Sequence, residues 1–236
     1  MSTFWNNLSA GYYDKLITSG INKNRGIQAN WHNLTFIEVK KLVNQNKKHL
    51  DFACGSGTFI GHYLKNDSVG VDISEKQIKY ARKKYNQNGS FYTLKDFDKI
   101  IKENSFDVIT VLGLFEFISD EEINELLMKL KNGLNEHGKV IITFPSFNFL
   151  FKAMLSISNL IGNIDYSKVH HQRKDLGSLI KIFEELEYKN IKISKILNLG
   201  LFFSYFNLKL GEKVNNFISK ILKNKYGFLY LIEISN

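Results

Sequence analysis

Five short apolar runs, separated by amphipathic stretches, occupy the middle of the chain: 48–53 (KHLDFA), 68–72 (SVGVD), 90–94 (SFYTL), 106–112 (FDVITVL) and 138–144 (GKVIITF). Each has the length of a strand, and the alternation with helical patterns predicts a parallel sheet with helices on both faces. Ser74 with Gln77, and Ser119 with Glu122, have the form of capping boxes that start helices. After the second box, Ile123, Leu126, Leu127, Leu130 and Leu134 make a helical apolar stripe, most simply core. Upstream, residues 1–46 read as helical and aromatic-rich, with Trp31, Leu34, Ile37, Val39 and Leu42 on an approximately helical spacing. They form a lead-in or lid. Downstream, 146–163 is apolar and reads as too short to span a bilayer. It is followed by an amphipathic stretch at 174–187, a strand at 189–197, a helical stretch at 201–223 and a last apolar run at 227–234. The pattern predicts seven strands in one α/β domain: a lid (1–46), a core (47–145) and an acceptor-side region (146–236).

Composition narrows the class. With 19 Phe and 11 Tyr in 236 residues, a large core can be buried without disulfides or a structural metal. The single cysteine, Cys54, excludes an intrachain disulfide and a clustered Cys zinc site, and fits a reducing compartment, with cytoplasm the default. The N-terminal residues lack a basic region followed by an apolar run, so no targeting signal is expected. A net charge of +9 invites a polyanionic partner. The plainer reading is an overall Lys, Asn and Ile bias. Lys79, Arg82, Lys83 and Lys84 alternate with apolar positions as a solvated helix face would.

The strongest constellation is Asp51-Phe52-Ala53-Cys54-Gly55-Ser56-Gly57, at the end of the first strand and opening into a helix. Glycines there let the backbone turn sharply and approach a ligand, and the helix N-terminus favours acceptor groups. Asp72 ends the next strand, where a carboxylate can accept both hydroxyls of a ribose. A pyrophosphate-binding dinucleotide site is the rival. It is weakened because Thr58, Phe59 and Ile60 separate Gly57 from Gly61.

Over about residues 48–145 the sequence resembles the class I, Rossmann-like methyltransferases, whose first motif runs acidic-x-Gly-x-Gly-x-Gly; Ala53 stands for the first of these glycines. The resemblance implies S-adenosylmethionine as cofactor and a mostly parallel seven-stranded sheet with an antiparallel last strand. It places Asp51 near the methionine amino group, Ala53, Gly55 and Gly57 along the cofactor, and Asp72 with Ile73 at the ribose. Asp96 with Phe97 would read the adenine, although Asp98 is close enough to be the match instead. Phe106 to Phe117 resembles the fourth motif, with Leu112 and Leu114 beside the sulfonium and the acceptor, or simply a buried strand and turn. Tyr13 and Arg25 resemble N-terminal residues that reach the methionine carboxylate in small-molecule methyltransferases.

Methyl transfer from a sulfonium needs alignment and a dry pocket more than a base. Where the acceptor does require one, His170, His171 or Glu116 is the candidate. No carboxylate set for a metal can be assembled. The apolar segment 146–163 and 201–206 (LFFSYF) could wall an acceptor pocket for an aromatic, quinone-like or lipid-like small molecule, and the lysines of 209–225 favour peripheral membrane contact. Two alternatives stay open: an RNA methyltransferase acting on ribose or guanine N7, and a non-catalytic cofactor-binding protein. Pro145 is the only proline, so there is no Asn-Pro-Pro-Tyr motif for base-amino methylation. Cys54 already sits in the turn, so there is no separate Cys nucleophile.

Overall fold

The computed structural model describes residues 5, 7–43, 47–146 and 174–236. Two helices lead in, α1 (Tyr12–Lys23) and α2 (Ile27–Lys40). They are parted at Asn24, whose left-handed φ of 50° closes α1, and at Gly26 with φ 127°. The expected strands follow as β1 (His49–Phe52), β2 (Ser68–Asp72), β3 (Gly89–Thr93), β4 (Phe106–Leu112), β5 (Leu134–Pro145), β6 (Asn190–Ile196) and β7 (Leu229–Ser235). Between them lie a π-type helical segment, Phe59–Leu64, and α3 (Glu75–Tyr85), α4 (Phe97–Glu103), α5 (Asp120–Asn132), α6 (Leu176–Glu185) and α7 (Leu208–Ile221).

The strands form one sheet in the order β3-β2-β1-β4-β5-β7-β6. The first five are parallel, and β7 runs antiparallel between β5 and β6. Alternate residues serve opposite faces, as the pleat requires. Ile109 and Val111 join Leu127 and Phe183 on one side. Val108 joins Ile17, Leu34 and Leu201 on the other. Each such fully buried side chain is worth about 1.5–3 kcal/mol of hydrophobic transfer.

Two local expectations are revised. Ser119 and Glu122 do form a reciprocal capping box, with the Glu122 N–H donating to Ser119 Oγ at 3.2 Å and the Ser119 N–H to Glu122 Oε2 at 2.7 Å. Ser74 and Gln77 do not: Ser74 makes no side-chain cap, because Gln77 is drawn into contacts with the N-terminal segment. The expected helix 201–223 is also divided. A 3-10 segment, Leu199–Tyr205, ends before Asn207, whose side chain accepts from the Leu210 N–H at 3.0 Å and so starts α7 afresh.

Candidate active site

Strand order reverses at β1, which has β2 on one side and β4 on the other. A crevice therefore opens beyond the carboxyl ends of these strands. A cavity of about 290 Å³ lies there, and helices α1 and α2 help to wall it. On the β1–β2 side it is lined by Ala53, Gly55, Asp72, Ile73 and Ser74; on the β4–β5 side by Leu112, Leu114, Glu116 and Thr143. Tyr13, Trp31, His32 and Phe36 close it from the lead-in helices.

The turn after β1 carries three left-handed residues, Ala53 at φ 64°, Gly55 at 53° and Gly57 at 73°. The two glycines do different work. A Cβ on Gly55 would meet nothing within 4 Å, so its missing side chain leaves open space in the cavity wall. A Cβ on Gly57 would sit 2.6 Å from Phe91 and 2.9 Å from Ala81, so that glycine lets the turn pack on β3 and α3. Ala53 bears a strain of roughly 1–2 kcal/mol for its left-handed backbone. Ala53→Gly, after the entropy lost in the unfolded chain, is expected to gain about 0.5–1 kcal/mol. A urea midpoint no higher than that of the parent would refute it.

Asp72 is fixed by two backbone donors, Gly55 N–H to Oδ2 and Ser74 N–H to Oδ1, each at 2.8 Å. Burial raises its pKa against those bonds. Ser74 Oγ and Glu116 Oε2 are two of the buried polar atoms that lack a hydrogen-bond partner among the described residues, and both residues line the cavity. Orphaned polar atoms in a cleft are the mark of a ligand's polar groups. Glu116 is only 6% exposed, and burial pushes its carboxyl up to about 8. Burial also drops His32, edge-on to Tyr13, to about 4, so its imidazole is neutral near pH 7.

Gln77 connects this floor to the lead-in. Its Oε1 accepts from Ser56 Oγ and from the Gly11 N–H, both at 2.9 Å, and its Nε2 donates to Ser9 O at 3.0 Å. One turn on, buried Asp14 of α1 takes hydrogen bonds from Tyr80 at 2.7 Å and Tyr85 at 2.5 Å, and pairs with Lys84. Burial works against the charge, yet the bonds from Lys84, Tyr85 and Tyr80 hold the Asp14 carboxyl below its ordinary range. Lys84 is thus an anchor rather than part of a solvated helix face.

Residues 50–140 match the family described as "Methyltransferase domain". That match spans less than half of the chain; it takes in the glycine turn after β1, Asp72 and strands β2 to β4 of a Rossmann-like methyltransferase fold. Among relatives, an uncharacterized protein of Rickettsia prowazekii is 32% identical over 114 residues, 45% of this chain and 44% of that one, so the match spans less than half of that relative. The ubiquinone/menaquinone biosynthesis C-methyltransferase of Wigglesworthia glossinidia brevipalpis is 28% identical over 194 residues, 70% of this chain and 75% of that one. The fold matches a solved methyltransferase of Thermotoga maritima, described as a possible histamine N-methyltransferase, with TM-score 0.60 at 16% identity over 86% of this chain and 90% of that one.

Of the residues singled out in the sequence, the fold brings Tyr13, Ala53, Gly55, Asp72, Ile73, Leu112, Leu114 and Glu116 to one cavity. Gly57, Arg25, Asp51, Asp96 and Phe97 do not line it. Arg25 is exposed at the turn after α1, where its N–H bonds Gly20 O at 3.1 Å. Asp51 is buried beneath the turn, accepts from Thr110 Oγ1 at 2.7 Å, and is pushed by burial up to about 7. Asp96 caps its own turn by accepting from Thr93 Oγ1 at 3.1 Å, Phe97 packs on Phe52 in the core, and Asp98 pairs with Lys129 at the surface. His170, His171 and residues 147–163 lie outside the described residues. Sequence reasoning missed His32, Trp31's place in the wall, and Gln77. The α2 signal was there, since Gln28, Trp31, His32, Thr35 and Phe36 share a helical face, but it mixes polar and aromatic residues where a core stripe would be uniform.

Truncating Gln77 would take the acceptor from the Gly11 N–H and the buried Ser56 hydroxyl, at a cost of about 2–4 kcal/mol to the closed lead-in. Gln77→Ala is expected to weaken S-adenosylmethionine binding about tenfold, because a smaller fraction of molecules keeps the cavity closed. Calorimetry on the variant checks this; unchanged affinity would show that the fastening does not govern closure.

Proposed function

We propose that this protein is an S-adenosylmethionine-dependent methyltransferase that transfers a methyl group to an uncharged, largely apolar small molecule, aromatic, quinone-like or lipid-like, acting in the cytoplasm that its lone Cys54 suits. The observation that carries the reading is the lining of the cavity. Aromatic and aliphatic side chains dominate it, no Lys or Arg is present among the described lining residues, and its only acids are Asp72 and Glu116. Asp72 would take the ribose hydroxyls, Gly55 would admit the cofactor against bare backbone, and Ser74 Oγ would meet one of its polar atoms. When bound, S-adenosylmethionine supplies an electrophilic methyl group on a sulfonium. The chain's part is to align and to keep water out. Glu116 stays protonated near neutral pH and donates a hydrogen bond to an acceptor oxygen, while neutral His32 can donate or accept another.

The C-methyltransferase from Wigglesworthia acts in ubiquinone and menaquinone biosynthesis by its name, which supports a quinone-like ring as the acceptor class. A polyanionic RNA fits poorly in a pocket whose described walls offer it no cation.

The test is calorimetry with S-adenosylmethionine and S-adenosylhomocysteine, followed by labelled-methyl transfer to hydroquinones, phenols and bulk tRNA. Micromolar binding is expected, reduced about a hundredfold in Asp72→Ala, since two charge-assisted bonds to the ribose hydroxyls are worth about 3 kcal/mol. Label should appear in the apolar acceptors. Label in tRNA alone would overturn the small-molecule reading, and binding of NAD in place of either ligand would overturn the cofactor assignment.

A further inference from the structure

Helix α7 turns its larger apolar residues away from the protein. Its buried face is narrow: Leu208, Gly211 and Asn215 face inward, and Asn215 is occupied with Asn198, accepting the backbone N–H through Oδ1 and the side-chain amide through its carbonyl, each at 2.9 Å. At about 100° per residue, Leu210, Phe217 and Ile221 fall on the opposite side. Phe206, just before the helix, extends the same line. Phe206 is 75% exposed, Phe217 65% and Ile221 61%. Stability within the fold does not account for such a stripe, and a contiguous exposed apolar surface marks an interaction site.

Charge selects the partner. Lys209, Lys213 and Lys220 repeat along one flank of the stripe, all exposed, and Lys223 and Lys225 continue the positive charge past its end. Glu212, the one acid of the helix, is half-buried on the inner side of that flank. A row of lysines beside an outward aromatic stripe is the pattern of a helix that lies in a membrane interface, with rings in the acyl boundary and ammonium groups on the phosphates. Tyr226, 67% exposed after the helix, is the amphipathic aromatic favoured at that depth. None of the described helices is long and apolar enough to cross a bilayer.

We propose that α7, with Phe206 before it, docks this protein flat on an anionic lipid bilayer. The surface is tied to the cavity wall. Asn30 of α2 donates to Ser204 Oγ at 2.6 Å, the Gly26 N–H to Ser204 O at 2.7 Å, and the Leu208 N–H to Asn24 O at 2.9 Å. Docking thus presents α2, whose other face lines the cavity, close to the lipid phase. In that phase the apolar acceptor would dissolve, a clause that rests on the proposed function; the docking itself does not.

Flotation of the full chain with vesicles of phosphatidylcholine, alone or mixed with phosphatidylglycerol, tests it. Binding is expected to the mixed vesicles and to weaken with salt. It should fall about tenfold or more in Phe217→Ser and about fivefold in Lys213→Ala, with melting temperature and S-adenosylmethionine affinity unchanged. No anionic preference, or equal binding by Phe217→Ser, would overturn the proposal. So would a Phe217→Ser variant that melts lower, because the chain itself would then cover the stripe, or one that turns a dimeric parent into a monomer, because a second copy would. Flotation needs neither cofactor nor acceptor, so its failure leaves the methyl-transfer reading untouched.

Discussion

Gly57→Val is expected to abolish stable folding, whereas Gly55→Ala, two residues away, should fold normally and lose the cofactor. Both positions have left-handed backbones, φ 73° and 53°. What separates them is what a side chain would meet. At Gly57 the first added carbon lies 2.6 Å from a Phe91 ring atom and 2.9 Å from Ala81 Cβ, closer than real contacts allow. Left-handed strain of about 1–2 kcal/mol, greater for a β-branched residue, adds to about 1–3 kcal/mol of overpacking. The total approaches the 5–15 kcal/mol by which domains are typically stable, at about its lower end. At Gly55 only the strain applies, because the space is open, and that space is cavity. Circular dichroism melts and calorimetry on the two variants separate the effects. A Gly57→Val protein that melts like the parent would sink the packing argument, and a Gly55→Ala protein that binds normally would put the ligand elsewhere.

That contrast shows how far the sequence could be read. The strands are legible because each is a short apolar run between turns, and the site's position is legible because a glycine turn and Asp72 end adjacent strands. Which glycine faces the ligand is not, since it depends on where Phe91 and Ala81 pack. The same holds for Gln77. Three residues after Ser74 it satisfies the local capping pattern, but the structure gives it three other partners, Ser9, Gly11 and Ser56, which lie 68, 66 and 21 residues away. Long-range hydrogen bonds have no local signature, so a residue that fits a local rule can be claimed by a distant one. Helix α7 shows the converse. Its periodicity is plain, but periodicity names a face without saying which way it points, and here Gly211 and Asn215 take the inside.

Glu116 carries the largest expected pH effect. Folded, burial holds its carboxyl up to about 8; unfolded, it titrates near the ordinary 4.5. Below 4.5 both states are protonated and nothing is gained or lost. Between 4.5 and about 8 the unfolded chain has released this proton while the folded chain keeps it, so stability falls as pH rises, by about 1.4 kcal/mol per unit. Over the window that is a loss of about 5 kcal/mol as an upper figure. Glu116→Gln imitates the protonated acid and abolishes the slope. The variant should match the parent at pH 5 and exceed it by several kcal/mol at pH 8 in urea melts. Asp51, also raised by burial, to about 7, contributes in the same direction to both proteins and cancels in the difference. His32 and His49, lowered by burial to about 4 and about 3, act oppositely, removing stability as pH falls below 6.5, and cancel too. If the acid also donates to the acceptor, methyl transfer by the parent should decline above about pH 8, and Glu116→Gln, which still has an N–H to donate, should not follow it. Equal pH slopes in the two proteins would mean that Glu116 ionises freely and that the cavity is wetter than its walls imply.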